Sequence, residues 1–354
     1  MPLETLRIEQ LRNISQTELR FSPGINLIAG ANASGKTSLL EGIALLVQGR
    51  SFRTSRIDQL IQHQTTGLAL VGTIRTGQTL HTLGLARKQK VTQVKLDGTM
   101  LKRSTDLIDL QPLHVITPES HEILDQGPKI RRQYLDWGVF HVKQGYLACW
   151  QRYHRVLRQR NHVLRIGGTE QAIQAWDGPL VTEAEHLHAF RTAYLQALSP
   201  YLTSYGQQLL EIHIEFTYRP GWYADNSSFA AQLKSDLPRD RERGFTQSGP
   251  HRADISVRAG GRTVKEVFSR GQQKLLICAM YLAQVANAPK PGILLIDDLP
   301  AELDPTRRAR LLAAAASTGA QVFVTATEAA LIPTTGWLEK KVFHVEHGEF
   351  FEVV

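Results

Sequence analysis

The sequence predicts an α/β protein in two lobes. One carries a parallel sheet with a phosphate-binding loop and an antiparallel β subdomain; the other is helical. Three observations lead there. The apolar run "INLIAG" (25–30) continues through "GANASGKT" (30–37) into a helical pattern, the order of strand, phosphate loop and helix in parallel α/β sheets. A second stretch, "ILLIDDLPAELDPTRRARLLAAAASTGAQVFVTAT" (293–327), reads strand, loop, helix, strand, as a buried βαβ crossover does. Between them lie short alternating runs at 68–101 and two long helical patterns at 119–165 and 179–211.

Taken in order, residues 3–9 alternate as a strand, and a helix from Thr37 to about Val47 follows from Leu39, Leu40, Ile43, Ala44, Leu46 and Val47 at helical spacing. The runs "LALVGTIRT", "TLHTLGLAR" and "VTQVKLDG", broken at Gly77, at 87–90 and at Asp97-Gly98, predict antiparallel hairpins. "LHVITP" predicts another strand. In the helical patterns Tyr146, Trp150, Tyr153 and Leu157 form one stripe, and Leu180, Ala184, Leu187, Tyr194 and Leu198 another. A packed helical pair explains both stripes better than a base-stacking platform does. The polar stretch 223–251 reads as irregular, and "RADISVRAGGRTVKEVF" (252–268) as a strand pair turning at Gly260-Gly261. Pro305 at the first turn and Gly319 past the end bound the helix of the βαβ unit. The first lobe is expected over 1–118 and 288–354, and the second over 119–287, with an arm at about 129–211.

With 354 residues, 42% of them hydrophobic, the chain can bury substantial cores. It shows neither a secretory signal nor an apolar run of membrane-spanning length, which points to the cytoplasm. Cys149 and Cys278 are too few for a disulfide framework or a zinc site and read as buried thiols. The net charge of +8 sits in one place: from Lys129 to Arg165 there are nine Lys and Arg against the single acid Asp136. Such a stripe is the footprint of a phosphate-backbone binder and equally the appearance of a solvated helix face. Lys143, Arg131, Arg132, Arg152, Arg155, Arg158, Arg160 and Arg165 are the candidate DNA contacts.

"GANASGKT" fits G-x-x-x-x-G-K-[S/T]. Gly30, Ala31, Asn32, Ala33, Ser34, Gly35, Lys36, Thr37 and Ser38 would cradle phosphates, with Lys36 on the β- and γ-phosphates and the Thr37 hydroxyl on Mg2+. "ILLIDD" delivers Asp297 and Asp298 to the carboxyl end of a strand, where ligands of α/β sheets gather. Asp297 would hold the metal and Asp298 would polarise the attacking water; a helix-capping pair is the plainer reading, although Asp304 before Pro305 is the better cap. These parts suit kinases, helicases and GTPases alike. A second loop, Ser269-Arg270-Gly271-Gln272-Gln273-Lys274, opens into an apolar helix and can also hold an anion.

That loop, "SRGQQK", resembles the signature loop of the ABC-type ATPases, and "AELD" (301–304) resembles their D-loop. Together with "GRSFRT" (49–54), "TPESHEILDQGPKIRRQYLD" (117–136) and "SGPHRAD" (248–254), the chain resembles the RecF family of bacterial recombination mediators along nearly its whole length. The resemblance implies an ABC-type ATPase head with a short helical arm that binds ATP with Mg2+, and DNA as single strand, linear duplex or gap junction. It implies an ATP-dependent head-to-head homodimer in which Ser269, Gly271 and Gln272 cap the nucleotide of the other subunit and Asp304 crosses the interface. It further implies slow hydrolysis to ADP and phosphate, and work with RecO and RecR to load RecA in gap repair and replication restart. Arg53 is a candidate nucleotide or DNA contact.

Two positions depart from the pattern: Gln126 stands where the family usually has Gly, and Ala301 where the D-loop usually begins with Ser. "VFVTAT" has no His for the switch position of transporter ATPases, which leaves Thr325 or Thr327 and is consistent with weak hydrolysis. A transporter energiser and a small-molecule kinase with the arm as a lid are the rival readings.

Overall fold

The structure, a computed structural model, describes residues 2–101, 107, 111–222 and 228–353. The chain divides into two compact units: residues 1–120, 208–210 and 270–354 in the first, residues 121–207 and 211–269 in the second. The helix Arg270–Asn287 therefore groups with the first unit, which corrects the expectation that the second lobe runs to residue 287. Tyr281 on this helix sets its ring edge-on to His114, 6.5 Å between centroids, on a strand of the first unit.

The first unit holds two six-stranded sheets. One is antiparallel, in the order β2 (Ile14–Arg20), β1 (Leu3–Leu11), β4 (Gly67–Thr76), β5 (Thr79–Lys88), β6 (Val91–Leu96) and β7 (Thr99–Met100), so the hairpin pattern expected at 68–101 is observed. The other runs β15 (Glu349–Val353), β14 (Lys340–Glu346), β3 (Ile25–Ala29), β13 (Gln321–Ala326), β12 (Ile293–Ile296) and β8 (Leu113–Ile116). All its pairings are parallel except that of β14 with β15. Strands β3, β12 and β13 are buried throughout, as strands covered on both faces should be. Helix α1 (Lys36–Gln48) touches strands of both sheets, and nearly every residue in it is buried. Gly42 lets α1 approach β1, since a Cβ there would stand 2.9 Å from Leu11 Cδ2. The large core of this unit forms around α1 from Leu6, Ile8, Leu39, Ile43, Leu70, Phe323 and their neighbours.

The second unit has a three-stranded sheet in the order β11 (Arg262–Thr263), β10 (Asp254–Ala259), β9 (Glu215–Arg219), with helices α2 (Pro128–Val142), α3 (Tyr146–Arg165), α4 (Asp177–Leu210) and α5 (Phe229–Arg243). The pattern expected as one helix over 119–165 is interrupted. Gly127, at φ 75°, precedes α2, and the chain turns again at Gly145, at φ 83°, after an extended Lys143. Gly260 and Gly261 turn with positive φ as expected, but the returning strand lasts two residues and residues 264–267 close into a helical turn. The stretch read as irregular contains α5. Its buried Phe229, Leu233, Asp236, Leu237 and Asp240 keep helical spacing, capped by Ser228, whose hydroxyl accepts from Ala231 N at 3.2 Å. Two of those five positions are acids and Pro238 lies inside the helix, which hides its period. Residues 223–227 of that stretch lie outside the described residues.

The aromatic stripe of α3 is core: Tyr146, Tyr153 and Leu157 are buried, as are Leu180, Ala184, Leu187, Tyr194 and Leu198 of α4. Both cysteines are buried. Among the described residues no helix is long and apolar enough to cross a membrane.

Candidate functional site

Strand β3 delivers the phosphate loop, and three features shape it. Gly30 lies against β14, where a Cβ would fall 2.3 Å from Val345 O. Ala33 (φ 63°) and Gly35 (φ 126°) take the left-handed backbone that curls the loop before α1. From outside, Asn13 holds the loop: its Nδ2 donates to Ser34 O at 3.0 Å and its Oδ1 accepts from Ser38 Oγ at 2.9 Å. Gly348 N also donates to Ser34 O, at 2.7 Å. The N–H groups of Lys36, Thr37 and Ser38 belong to the first turn of α1, where a helix leaves its donors unpaired and its dipole positive.

Lys36 Nζ donates to Gly30 O at 2.7 Å and Ala31 O at 2.8 Å, so the ammonium lies back over the loop that surrounds it. Burial lowers its pKa from the ordinary lysine value, while Asp298 and Asp297 act the other way.

Two strands along, β12 ends in the acidic pair, and β13 lies between β12 and β3. That order brings Thr37, Asp297 and Thr325 together. Thr37 Oγ1 donates to Asp297, 3.0 Å from each carboxylate oxygen, and Thr325 Oγ1 donates to Asp297 Oδ1 at 2.7 Å. Thr325 also accepts from Asp298 N at 2.7 Å, which holds Asp298 in its left-handed conformation, φ 52°. Burial raises the Asp297 pKa above the usual carboxylate value and the charge of Asp298 adds to this; the two threonine hydroxyls and the charge of Arg53 lower it. A buried carboxylate beside a hydroxyl is an oxygen donor set suited to a hard divalent cation, so Thr37 and Asp297 fit Mg2+.

Asp298 makes no side-chain cap to the short helix Leu299–Glu302 behind it, against the capping reading of the acidic pair. Asp304 does cap: it accepts from Arg307 N at 3.0 Å at the start of α7 (Pro305–Ala316). Of the two switch candidates, Thr325 is buried under Asp297 and Thr327 is exposed.

Beyond α1, Glu41 is fully buried and accepts from Arg12 Nε and Nη2, both at 3.1 Å, and from Ser51 Oγ. Arg53 Nη1 stands 4.0 Å from the same carboxylate with its side chain half exposed. Its charge also acts on Asp297, lowering that carboxyl's pKa against the rise from burial.

The second phosphate loop is shorter than expected. Helix α6 (Arg270–Asn287) begins early enough that Gly271, Gln272, Gln273 and Lys274 lie in its first turns rather than in a loop. Ser269 precedes it at the position where a hydroxyl residue starts a helix well. Gly271 faces α7, where a Cβ would meet Arg307 Nη1 at 2.8 Å, and Arg307 Nε stands 3.3 Å from Asp304 Oδ2. Gly271 and Asp304 thus share Arg307 as a neighbour, a residue the sequence reading passed over. Its signal is position: it sits three residues beyond the capping aspartate, on the turn that faces back across the cap.

The basic stripe sorts into two groups. Arg160 is fully buried, donating from Nε to Asp177 Oδ1 at 2.8 Å and from Nη1 to Asp240 Oδ2 at 2.6 Å and Thr246 Oγ1 at 2.7 Å. It cannot contact DNA, which corrects the expectation for this residue. Arg131 makes a two-bond pair with Asp254 at 2.7 and 3.0 Å, and Arg132 donates to Ala253 O at 2.7 Å. Both are half-buried and bonded to the start of β10. Lys143 is half buried. Arg152 is exposed but paired with Glu183, Nε to Oε1 2.6 Å, while Arg155, Arg158 and Arg165 are exposed.

A phosphate loop whose threonine hydrogen-bonds the aspartate at the end of the next strand but one of a parallel sheet is the core of a P-loop ATPase head of the SMC kind. The family model described as RecF/RecN/SMC N terminal domain matches residues 2–349. The chain belongs to the RecF family of these ATPases. It is 42% identical over 353 residues to the DNA replication and repair protein RecF of Hydrogenovibrio crunogenus, with 98% of each chain covered. It is 41% identical over 355 residues to that of Shewanella oneidensis, again covering 98% of each. Among solved structures, the recombination mediator protein RecF-ATPrS of the RecFOR pathway superposes with a TM-score of 0.87 at 25% identity, covering 100% of this chain and 98% of the other. An Smc head bound to the C-winged helix domain of ScpA shares the fold, with a TM-score of 0.64.

Proposed function

We propose that the chain is an ATP-controlled DNA clamp of recombinational gap repair. The observation that carries this reading is the presence of two separate clusters: Lys36, Thr37, Asp297, Asp298 and Thr325 around the phosphate loop, and Gly271, Arg307 and Asp304 at the signature. Each cluster is half of an ATP site, and two copies placed head to head complete both halves.

Lys36 exchanges its two loop carbonyls for the β- and γ-phosphates of ATP, and the first-turn N–H groups of α1 bind the phosphate oxygens. Thr37 and Asp297 hold Mg2+, which supplies positive charge against the phosphates. Asp298, held at its backbone by Thr325, orients the attacking water. With no imidazole at the switch position, hydrolysis is slow and resets the clamp. Arg155, Arg158 and Arg165 contact the phosphate backbone of DNA at single-strand, duplex or gap junctions, and RecO and RecR are the partners through which RecA is loaded.

Sedimentation of the full chain with and without MgATP and gapped DNA tests this. The wild-type protein is expected to dimerise with MgATP. Ser269→Arg should bind ATP within about threefold of wild type and fail to dimerise; a wild-type dimer in that variant would sink the head-to-head reading.

A further inference from the structure

Helices α3 and α4 bring Cys149, Glu183 and His186 together, and we propose that these three side chains bind a soft divalent ion of the zinc class. One donor atom from each lies within 4.8 Å of the other two. Glu183 and His186 are three residues apart on α4, so they project from one face; Cys149 reaches them from α3.

The carboxylate is the telling group. Glu183 Oε1 accepts from Arg152 Nε at 2.6 Å, while Oε2 is buried without a hydrogen-bond partner. A buried carboxylate oxygen left without a donor is costly, and a cation satisfies it. His186 Nδ1 stands 4.0 Å from this same oxygen. Sulfur, imidazole nitrogen and carboxylate oxygen are the donors zinc takes, and three protein ligands leave a fourth position for water. His186 is 59% exposed and gives the ion its way in. Donor atoms around tetrahedral zinc stand about 3.5 Å apart, so a rotamer change of this exposed imidazole closes the set. Arg152 remains outside as the group that orients the carboxylate.

The charges also balance. A thiolate and a carboxylate neutralise a divalent ion. Cys149 Sγ donates to Glu183 O at 3.7 Å, so the thiol carries its proton without metal. Binding replaces the S–H bond with an S–metal bond and releases that proton to solvent, with no change of oxidation state. The bound ion cross-links α3 to α4 in the second unit. This revises the sequence expectation that two cysteines are too few for zinc: one thiol suffices when the other donors come from a neighbouring helix.

Cobalt titration of the full chain tests the site, because a thiolate on cobalt gives a near-ultraviolet charge-transfer band. No sulfur lies at the phosphate loop, so cobalt bound there gives no such band. Wild type and Cys278→Ser should show it with one proton released per ion. Cys149→Ser should lose it, and His186→Ala, which removes an exposed side chain, should weaken cobalt binding at least about tenfold. No band in wild type, a band that survives Cys149→Ser, or unchanged affinity in His186→Ala would each overturn the proposal.

Discussion

Asp297 shows how far a single residue was legible. Its place after an apolar strand and beside a second acid puts a carboxylate at the carboxyl end of the parallel sheet, and the structure sets it there beside the Thr37 hydroxyl. Strand register decides which of Thr325 and Thr327 lies at the acid: Thr325 pairs with Ile28 of β3 and Leu295 of β12 pairs with Phe323, which sets Thr325 under Asp297. Two residues of register separate a buried hydroxyl from an exposed one, and one sequence carries no register between distant strands. A pH consequence follows from the buried carboxyl. Its folded pKa is raised, so the folded state holds the proton more tightly than the unfolded chain does. Stability is therefore present at low pH and declines as pH rises through the ordinary carboxylate value toward the raised one. In chelator at neutral pH, Asp297→Asn should raise the thermal midpoint by removing the buried charge. MgATP should stabilise wild type strongly and the variant little. A lower midpoint for the variant in chelator would contradict the sign.

At the level of the helix, charge and phase have to be read together. Counting basic residues located α3, but counting did not say which face each one occupies. Tyr153, Leu157, Arg160 and Leu164 follow at spacings of four, three and four, and all four are buried. The apolar stripe thus already contained Arg160, and Asp177 and Asp240 supply its counter-charges. Burial raises the Asp240 pKa while the hydrogen bond from Arg160 lowers it, so the pair depends on both partners. Arg160→Ala should leave uncompensated buried acids and destabilise the protein by about 3–5 kcal/mol, measured by denaturant unfolding. Replacing Arg155, Arg158 and Arg165 together by Gln should cost little stability. That triple change should lower the slope of log affinity for DNA against log salt by up to about 2.7. An unchanged slope would mean those arginines are only solvated.

For the whole chain, the two βα patterns and the antiparallel hairpins were readable because each signal is local: a glycine-rich loop after an apolar strand, or alternation broken by turn residues. The placement of α6 was not. It follows the second unit directly in sequence and packs with the first, through Tyr281 on His114 and Gly271 on Arg307, and neither contact leaves a trace in local periodicity. Helix α5 was missed for the opposite reason, since its buried face is partly acidic. The parallel sheet also joins the two ends of the chain: β3, at residues 25–29, pairs with β13 and β14, about 300 residues later. A chain ending at residue 319 lacks both neighbours of β3 and is expected to show no MgATP binding by calorimetry, although "GANASGKT" and α1 are intact in it. Retained binding would mean that the loop needs no sheet.

The contacts of Gly30 with Val345 and of Gly348 with Ser34 carry a consequence for synthesis. The phosphate motif lies at residues 30–37, but the strand against which Gly30 closes and the glycine that holds Ser34 are made about 300 residues later. A nascent chain therefore carries its nucleotide motif without these two supports until that later segment is made. ATP is expected to engage the loop only once β14 and the turn at Gly348 are in place.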